Sequence, residues 1–304
     1  MKLNNSDSEE FNENKYRKLI ENQHHFCKSF GLFSDIQIEK FITKTSVKFN
    51  NISFDMFVYK NNDGVSETII NNGEWEKEST NILLKSLEYY SKKKKLPKNK
   101  IIILDIGANI GWYSLVLGKI GYELLSFEVS NINNYILRKN FCLNKDINIT
   151  IINKGIGLEE ENCILHHPTQ NIGDAIILCG ENANIPKNIN FIEKIKFTRL
   201  SNYIPFLENK NLALIKLDIE GSEGKAIISG IELITKYHVP FIFLEFVPDY
   251  LKIQGTDPKD FLEIFENNGY NISITDFLSK TYLPINQILK LSDINLYIVY
   301  SGFI

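Results

Sequence analysis

The stretch that decides the fold is IIILDIGANIGWYS, which runs from Ile101 to Ser114. The apolar run predicts a buried β-strand that ends near Asp105, and Gly107 and Gly111 then enclose a tight turn before a helix. In an open α/β sheet, ligands bind beyond the carboxyl ends of the strands. The stretch therefore predicts a strand of such a sheet with a ligand-binding turn at its end.

The turn from Gly107 to Gly111 matches neither of the common phosphate-binding motifs. Ala108 and Asn109 stand where a dinucleotide fingerprint has its second glycine, and no Gly-Lys-Ser/Thr follows as it does in a P-loop. The acid at the strand end, Asp105, suits a cationic or amine-bearing ligand better than a phosphate. We therefore expect a ligand that has a positive group and no pyrophosphate.

An acid at the end of the next strand indicates the kind of ligand. The stretch LLSFEVS places Glu128 there, where a carboxylate can accept both hydrogen bonds from a ribose diol. S-adenosylmethionine carries a ribose, an amino group and a sulfonium, and it lacks a phosphate, so it fits both features. The predicted cofactor-binding residues are Asp105, Gly107, Ala108, Asn109, Gly111 and Glu128.

Strands and helices alternate along most of the chain beyond residue 100. Apolar runs predict strands at 101–104, 123–127, 149–152, 212–217, 241–246, 271–275 and 296–300. The stretches between them predict helices at 112–119, 131–143, 222–237 and 258–268. Such alternation is typical of an α/β protein whose mostly parallel sheet is covered by helices on both faces. Residues 157–200 break the pattern, and we expect a hairpin or a substrate loop there.

The segment before residue 96 has a different organisation. A polar start and one or two helices occupy about residues 1–45, and two β-prone runs flank Asn62-Asp63-Gly64, which predicts a β-hairpin. An amphipathic helix with a basic end follows over about 74–95. We therefore divide the chain into an N-terminal helical and β-hairpin extension (1–95), packed on a core domain (96–304).

Composition argues against several classes of protein. With 43% hydrophobic residues among 304, the chain can bury a large core, and its formal net charge of -3 gives no basic surface for nucleic acid. No apolar run reaches the ~20 residues of a membrane span, and the polar N-terminus lacks a signal-peptide core. The four cysteines form no C-x-x-C pair, which favours reduced thiols and a cytoplasmic location.

A second group of acids follows two later strands. LIKLDIEGSEGKAIISG places Asp218 and Glu220 at a strand end, and FIFLEF places Glu245 at the end of the next strand. Parallel neighbours would bring these carboxylates to the same edge of the sheet as Asp105 and Glu128. Clustered carboxylates raise one another's pKa values, so one of them can accept a proton near neutral pH. They could equally bind a divalent metal such as Mg²⁺ or Mn²⁺, or only cap the following helix.

Seven motifs together resemble those of the FkbM family of S-adenosylmethionine-dependent methyltransferases. They are LDIGANIGWYSL, FEVS, LRKNFCLN, NIGDA, RLSNYI, LIKLDIEGSEGKAIISG and FIFLEF, in this order between about residues 55 and 270. The resemblance implies a class I methyltransferase (Rossmann-like) fold, with a seven-stranded mostly parallel sheet and an antiparallel last strand. It also implies O-methylation, often of a sugar or polyketide hydroxyl.

Methyl transfer requires an aligned acceptor oxygen and a group that helps to remove its proton. Asp218 and Glu220 resemble the acids that the family places beside the reacting centre. We expect one of them to be the base, directly or through a metal. Glu245 and Asn171 would orient the acceptor.

Further candidates for the substrate site lie near the glycine turn and in the irregular stretch. Trp112 would stack on substrate or cofactor, although an aromatic residue at a helix start is commonly part of the core. His166 and His167 are alternative bases. The motifs also depart from the family pattern: FEV stands in place of Phe-Glu-Pro, and RLSNYI stands where Leu-Asp is common. The second departure leaves one acid fewer near the substrate and weakens the case for a metal.

Other functions remain open at this stage. The missing middle glycine argues against a nicotinamide or nucleotide-sugar oxidoreductase. A nucleic-acid or protein methyltransferase is compatible with the fold, but the net charge of -3 and the absence of an Asn/Asp-Pro-Pro-Tyr/Phe motif count against nucleic acid. A catalytically inactive binding module would not need both the cofactor acids and the acids of the second group. We expect a small-molecule or glycan acceptor, and the sequence predicts no oligomeric state.

Overall fold

The computed structural model describes residues 26–27, 36–167, 176–179 and 191–304. The described strands are β1 (Ile42–Phe49), β2 (Ile52–Tyr59), β3 (Ile101–Ile106), β4 (Glu123–Phe127), β5 (Asn148–Ile152), β6 (Gly155–Ile156), β7 (Asn162–His167), β8 (Ile176–Cys179), β9 (Phe191–Thr198), β10 (Asn211–Leu217), β11 (Phe241–Phe246), β12 (Tyr270–Ser273) and β13 (Ile294–Tyr300). The described helices are α1 (Ile36–Glu39), α2 (Gly64–Asn72), α3 (Lys77–Lys94), α4 (Trp112–Ile120), α5 (Asn131–Leu143), α6 (Glu223–Tyr237), α7 (Pro248–Ile253), α8 (Pro258–Asn267) and α9 (Ile285–Ile288).

A seven-stranded sheet in the order β12-β13-β11-β10-β3-β4-β5 forms the centre of the molecule. Neighbouring strands from β11 to β5 are parallel, whereas β13 runs antiparallel to both β11 and β12. This is the α/β, class I methyltransferase topology with an antiparallel last strand, as the sequence predicts. Because β3 and β10 lie side by side, the turns that follow them meet at one edge of the sheet.

Both faces of the central sheet are covered by apolar side chains. Along β3, Ile101 and Ile103 belong to one hydrophobic cluster, and Ile102 and Leu104 belong to another on the opposite face. Every residue of β3 is buried, which explains why its sequence is a continuous apolar run and not an alternating one. In the described ranges, no helix combines the length and apolarity needed to cross a bilayer.

The β-hairpin of the N-terminal extension lies earlier in the chain than expected. It joins β1 to β2 through Asn50, whose φ is 51°, whereas Asn62-Asp63-Gly64 leads into helix α2. The reason is that Asp63 acts as a helix cap: its side chain accepts a hydrogen bond of 2.8 Å from the Ser66 amide. The predicted hairpin at Asn62-Asp63-Gly64 is therefore wrong, and the predicted amphipathic helix corresponds to α3 with its basic end.

Asn140 of α5 and Asn144, which directly follows α5, attach the hairpin to the core domain. The Asn140 side chain accepts a hydrogen bond of 2.5 Å from the Phe57 amide and donates to the Phe57 and Ile110 carbonyls. Asn144 donates to the Asp55 carbonyl at 2.8 Å. These contacts cover the outer edge of β2, which would otherwise expose unpaired backbone groups.

The strands between residues 155 and 198 form a separate small sheet in the order β6-β9-β7-β8. β6 runs parallel to β9, and β7 runs antiparallel to both β9 and β8. Of the two alternatives for residues 157–200, the antiparallel hairpin agrees with the described part of this segment. The sheet lies after β5, at the edge of the central sheet where the turns meet.

The cysteines are oxidised, contrary to the expectation of reduced thiols. Cys27 and Cys142 form a disulfide between residues 115 positions apart, and Cys163 is also disulfide-bonded. The pairing escaped the sequence analysis because the two partners are distant in sequence and belong to no spacing motif. The Cys27–Cys142 bond joins the N-terminal extension covalently to α5.

We expect loss of the Cys27–Cys142 disulfide to lower the free energy of unfolding by about 2–4 kcal/mol, because the bond closes a long loop in the unfolded chain. Urea unfolding of Cys27→Ala, compared with the oxidised wild type, measures this difference. Cys142→Ala, which removes the same bond from its other end, is the matched control. Equal unfolding midpoints for all three samples would show that the bond contributes nothing to stability.

Candidate functional site

The glycine turn after β3 closes tightly on the neighbouring strands. The Gly107 and Ala108 amides both donate to the Phe127 carbonyl, at 3.0 and 2.9 Å. Gly107 has φ +81°, and a Cβ at this position would lie 1.8 Å from the backbone oxygen of Asp218. Only glycine permits this contact, because it has no Cβ and adopts positive φ without strain. The turn therefore brings the ends of β3 and β10 together.

Glu128 fixes the other side of the turn. Its carboxylate accepts hydrogen bonds of 2.8 Å from the amides of Asn109 and Ser130. Burial raises the pKa of Glu128 to about 7, although the two amide hydrogen bonds oppose this shift. Each carboxylate oxygen retains a lone pair, so Glu128 can still accept hydrogen bonds from a ligand diol. The acid predicted from FEVS thus lies beside the predicted glycine turn.

The first cavity lies between the glycine turn and the small sheet. Its polar wall contains Glu128, Asn133 and Lys154, and its apolar wall contains Leu165 and Phe197, among others. A cavity that combines apolar side chains with an acid suits a nucleoside, which has a planar base and a polar sugar. Sequence analysis missed Phe197 because no motif surrounds it. The paired glycines at 155 and 157, which lie against its ring, were the available signal.

A second cavity of about 380 Å³ lies on the other side of the glycine turn. The two cavities share Gly107, Asn109, Asp218 and Glu220. A chemical group of a ligand in the first cavity could therefore reach a ligand in the second cavity beside these four residues. Such an arrangement suits the transfer of a group between two bound molecules.

Asp218, Glu220 and Glu245 all line this second cavity. Asp218 is partly exposed, with 38% of its side chain accessible. Glu220 has φ +54° in the turn after β10. Glu245 is half-buried, and burial raises its pKa to about 7, with further contributions from Asp218, Asp293 and Glu76. A carboxylate with such a pKa can accept a proton near neutral pH.

A buried lysine, which the sequence analysis missed, holds the centre of the site together. Lys216 donates to the Gly107 carbonyl at 3.0 Å and lies 3.3 Å from Asp218 and 3.8 Å from Asp105. Burial alone would lower the pKa of Lys216, but its acidic neighbours outweigh burial and raise the pKa above its usual value. The signal was a lysine inside an otherwise apolar strand, LIKL.

Some predicted residues lie behind the cavities and not in them. Asp105 is 1% exposed and accepts a hydrogen bond of 2.6 Å from the Ser114 hydroxyl, so it lines neither of the two cavities. Gly111 likewise lines neither. Ala108 and Trp112 border the second cavity, but the Trp112 indole donates to Thr80 at 3.1 Å and packs in the core. Asp105 therefore supports the turn through Lys216 and does not contact a ligand in either cavity.

The remaining candidates cannot be placed in the site. Asn171 lies outside the described residues, and the backbones of His166 and His167 belong to β7, but their side chains lie outside the described part. Across the described ranges, no group of three or more histidine, cysteine, aspartate or glutamate side chains is arranged to bind a metal. The structure gives no support for the predicted Mg²⁺ or Mn²⁺ site.

Comparison with known families agrees with this geometry. Residues 105–272, more than half of the chain, match the model of the family described as "Methyltransferase FkbM domain". This range includes the glycine turn, Glu128 and three of the acids that line the second cavity, Asp218, Glu220 and Glu245. No curated protein matches the sequence.

Solved structures similar to this chain share low sequence identity with it. Monomeric WbdD is 13% identical, with a TM-score of 0.45 over 79% of this chain and 45% of that chain. Magnesium protoporphyrin IX methyltransferase (ChlM) from Synechocystis PCC 6803, with bound SAM, is 12% identical, with a TM-score of 0.39 over 80% of this chain and 87% of that chain. The 16S rRNA N2 G1207 methyltransferase (RsmC) of T. thermophilus is 11% identical, with a TM-score of 0.39 over 86% and 50%. The chain thus spans less than half the length of WbdD.

Proposed function

This chain belongs to the FkbM family of methyltransferases, and we propose that it transfers the methyl group of S-adenosylmethionine to a hydroxyl of a small molecule or glycan, with a sugar hydroxyl favoured. The observation that carries the proposal is the pair of cavities that meet at Gly107, Asn109, Asp218 and Glu220. One cavity suits a nucleoside and the other contains carboxylates that can accept hydrogen bonds from hydroxyl groups.

The residues of the first cavity fit S-adenosylmethionine. Glu128 is placed to accept hydrogen bonds from the ribose, and Phe197 and Leu165 offer an apolar wall to the adenine. When bound, this cofactor supplies a methyl group on a positively charged sulfur. Asp218 and Glu220, which border both cavities, give the junction a negative potential that favours such a charge.

Asp218 is our candidate for the base. It borders both cavities, and its carboxylate lies 3.3 Å from the Lys216 ammonium. From there it can accept the acceptor's proton while the acceptor oxygen attacks the methyl carbon. Glu220 is the alternative base, and Glu245 orients the acceptor from the side of β11. This version needs no metal, because the acids act directly on the hydroxyl.

The charge of the second cavity supports a neutral acceptor. Lys216 is the basic residue among the described residues that line it, and its ammonium is already bonded to Gly107 and faces Asp218. A phosphate or carboxylate group would therefore meet carboxylates without a free cation. This favours a neutral polyhydroxylated acceptor over a nucleic acid. A protein acceptor or a catalytically inactive binding module are the alternatives that a transfer assay distinguishes.

The cytoplasmic location expected from the sequence remains a prediction, and the oxidised cysteines argue against it. Disulfides persist mainly in oxidising compartments. The Cys27–Cys142 bond in a cytoplasmic protein would be exposed to the reducing glutathione pool. Determining the oxidation state of these cysteines in cells, by thiol labelling before lysis, tests the location.

Two assays test the proposed function. Calorimetry with S-adenosylhomocysteine measures binding to the first cavity. Transfer of a labelled methyl group from S-adenosylmethionine to a panel of methyl glycosides of common hexoses and 6-deoxyhexoses measures the reaction. Binding of a nicotinamide dinucleotide, without binding of S-adenosylhomocysteine, would contradict S-adenosylmethionine as the cofactor. Binding of S-adenosylhomocysteine without methylation of any glycoside would overturn the sugar acceptor.

We expect Glu128→Ala to weaken S-adenosylhomocysteine binding by roughly 1.5–3 kcal/mol, the range for hydrogen bonds to a charged group. The loss has two sources, because Glu128 faces the cavity and also holds the Asn109 amide. Calorimetry at a fixed pH measures it. Glu232→Gln, an exposed residue of α6 outside both cavities, is the control. An unchanged dissociation constant for Glu128→Ala would remove Glu128 from the cofactor site.

A further inference from the structure

Glu76 is an acid of the second cavity that lies outside the range matched by the family model. It directly precedes α3 and lines the cavity together with Trp75 and Asp63 of the N-terminal extension. Its backbone has φ 41° and ψ 53°, the left-handed region. A residue with a Cβ costs roughly 1–2 kcal/mol there, and residues strained in this way cluster at functional sites.

The Glu76 side chain is fixed by a buried tyrosine. The Tyr113 hydroxyl donates to the Glu76 carboxylate at 2.5 Å, and Tyr113 is only 4% exposed. The Tyr113 ring in turn lies 5.3 Å from the Lys216 ammonium. Burial raises the pKa of Glu76, while the Tyr113 hydrogen bond and Lys216 oppose that shift. The carboxylate is thus held in one position at the wall of the cavity.

Glu76 and Glu245 are the acids that remain to bind an acceptor in this cavity. The Asp63 carboxylate already caps α2 through Ser66. The Glu76 carboxylate accepts hydrogen bonds from the Tyr113 and Trp75 side chains, and its two oxygens have further lone pairs for an acceptor hydroxyl. Glu76 and Glu245 both line this cavity, so one acceptor can contact both acids.

We propose that Glu76, held in place by Tyr113, accepts a hydrogen bond from one hydroxyl of a sugar acceptor and so determines which other hydroxyl is methylated. The inference rests on the proposed function, because it assumes a sugar acceptor in the second cavity. It assigns a specificity role to the N-terminal extension. The strained backbone then serves to point the carboxylate into the cavity.

The test compares Glu76→Gln with the wild type on a methyl glycoside that the wild type methylates. We expect the KM for the glycoside to rise about 10- to 100-fold, as for a lost hydrogen bond to a charged group. We also expect the product to become a mixture of methylated positions, as read by NMR. The dissociation constant of S-adenosylhomocysteine should stay unchanged. Tyr113→Phe should shift KM in the same direction by a smaller factor.

Two control variants separate this role from a structural one. Glu78→Gln changes an exposed acid in the first turn of the same helix, and it should leave the KM and the methylated position unchanged. Glu76→Gly relieves the left-handed strain, since glycine adopts positive φ freely. The relieved strain offsets part of the loss of the Tyr113 hydrogen bond, so this variant should stay folded by circular dichroism, yet show the raised KM.

The outcomes distinguish this inference from the proposed function. If the wild type methylates no glycoside of the panel, the sugar acceptor and the inference both fail, and the failure appears before any variant is compared. If the wild type is active and Glu76→Gln retains its KM and a single methylated position, the inference alone is overturned. A raised KM with mixed products in Glu76→Gln and Glu76→Gly, but not in Glu78→Gln, supports it.

Discussion

Asp218→Asn is expected to reduce the rate of methyl transfer by about 10²–10⁴-fold, the usual contribution of a positioned base. The amide has nearly the same shape as the carboxylate but does not accept a proton at neutral pH. Asp218 borders both cavities, so the change acts at the point where the two ligands meet. Single-turnover transfer of a labelled methyl group, on the glycoside that the wild type methylates, measures the rate of the chemical step.

The affinity for S-adenosylhomocysteine should change little in Asp218→Asn, because the ribose and adenine contacts come from other residues. Glu220→Gln and Glu245→Gln, assayed in parallel, identify the base if Asp218 is not it. Full activity of Asp218→Asn would transfer the role to one of these acids. Wild-type activity should persist in the presence of EDTA, because the proposed step uses no metal. Loss of activity with EDTA and recovery with Mg²⁺ would contradict the metal-free mechanism.

Gly107→Ala is expected to lower the free energy of unfolding by about 2–5 kcal/mol and to abolish measurable S-adenosylhomocysteine binding. The new methyl group would lie 1.8 Å from the backbone oxygen of Asp218, and a backbone atom cannot move aside without displacing the end of β10. Overpacking alone costs typically 1–3 kcal/mol, and positive φ adds roughly 1–2 kcal/mol. Urea unfolding and calorimetry measure the two effects.

Gly255→Ala is a matched control for the backbone strain in Gly107→Ala. Gly255 has φ +82°, close to the +81° of Gly107, but nothing lies within 4 Å of a Cβ placed there. Gly255→Ala should lower the free energy of unfolding by only roughly 1–2 kcal/mol, the cost of left-handed backbone for a residue with a Cβ. It should retain cofactor binding. Equal losses in the two variants would show that the close approach of β3 and β10 is not tight, and that the glycine serves conformation alone.

The central sheet could be predicted from the sequence because its signals are local. A continuous apolar run such as β3, followed at once by a glycine turn, has few alternative structures. Glu128 was found in the same way, as an acid directly after a strand. The Asn62-Asp63-Gly64 signal failed because the same residues favour both a hairpin turn and a helix start. The choice depended on whether Ser66 lay within reach of the Asp63 carboxylate.

The residues that sequence analysis missed depend on contacts between distant segments. Glu76 and Tyr113 meet across 37 positions, and Lys216 reaches the Gly107 carbonyl across 109. Cys27 and Cys142 meet across 115. No local pattern marks Glu76 as buried, and the apolar neighbours of Lys216 in LIKL indicate its burial but not its partners. Of the second cavity, the sequence therefore predicted the acids at the strand ends. It did not predict the wall that the N-terminal extension contributes.

The hydrogen bonds from Asn140 to Phe57 have a consequence for how the protein is made. They join residues 83 positions apart, and the hairpin is the earlier of the two in the chain. At about 5–20 residues per second, a ribosome needs about 4–17 s to extend the chain from Phe57 to Asn140. An isolated two-stranded hairpin is marginally stable in water. During this interval the outer edge of β2 therefore stays exposed. During translation, this edge is where we expect chaperones to bind the nascent chain first.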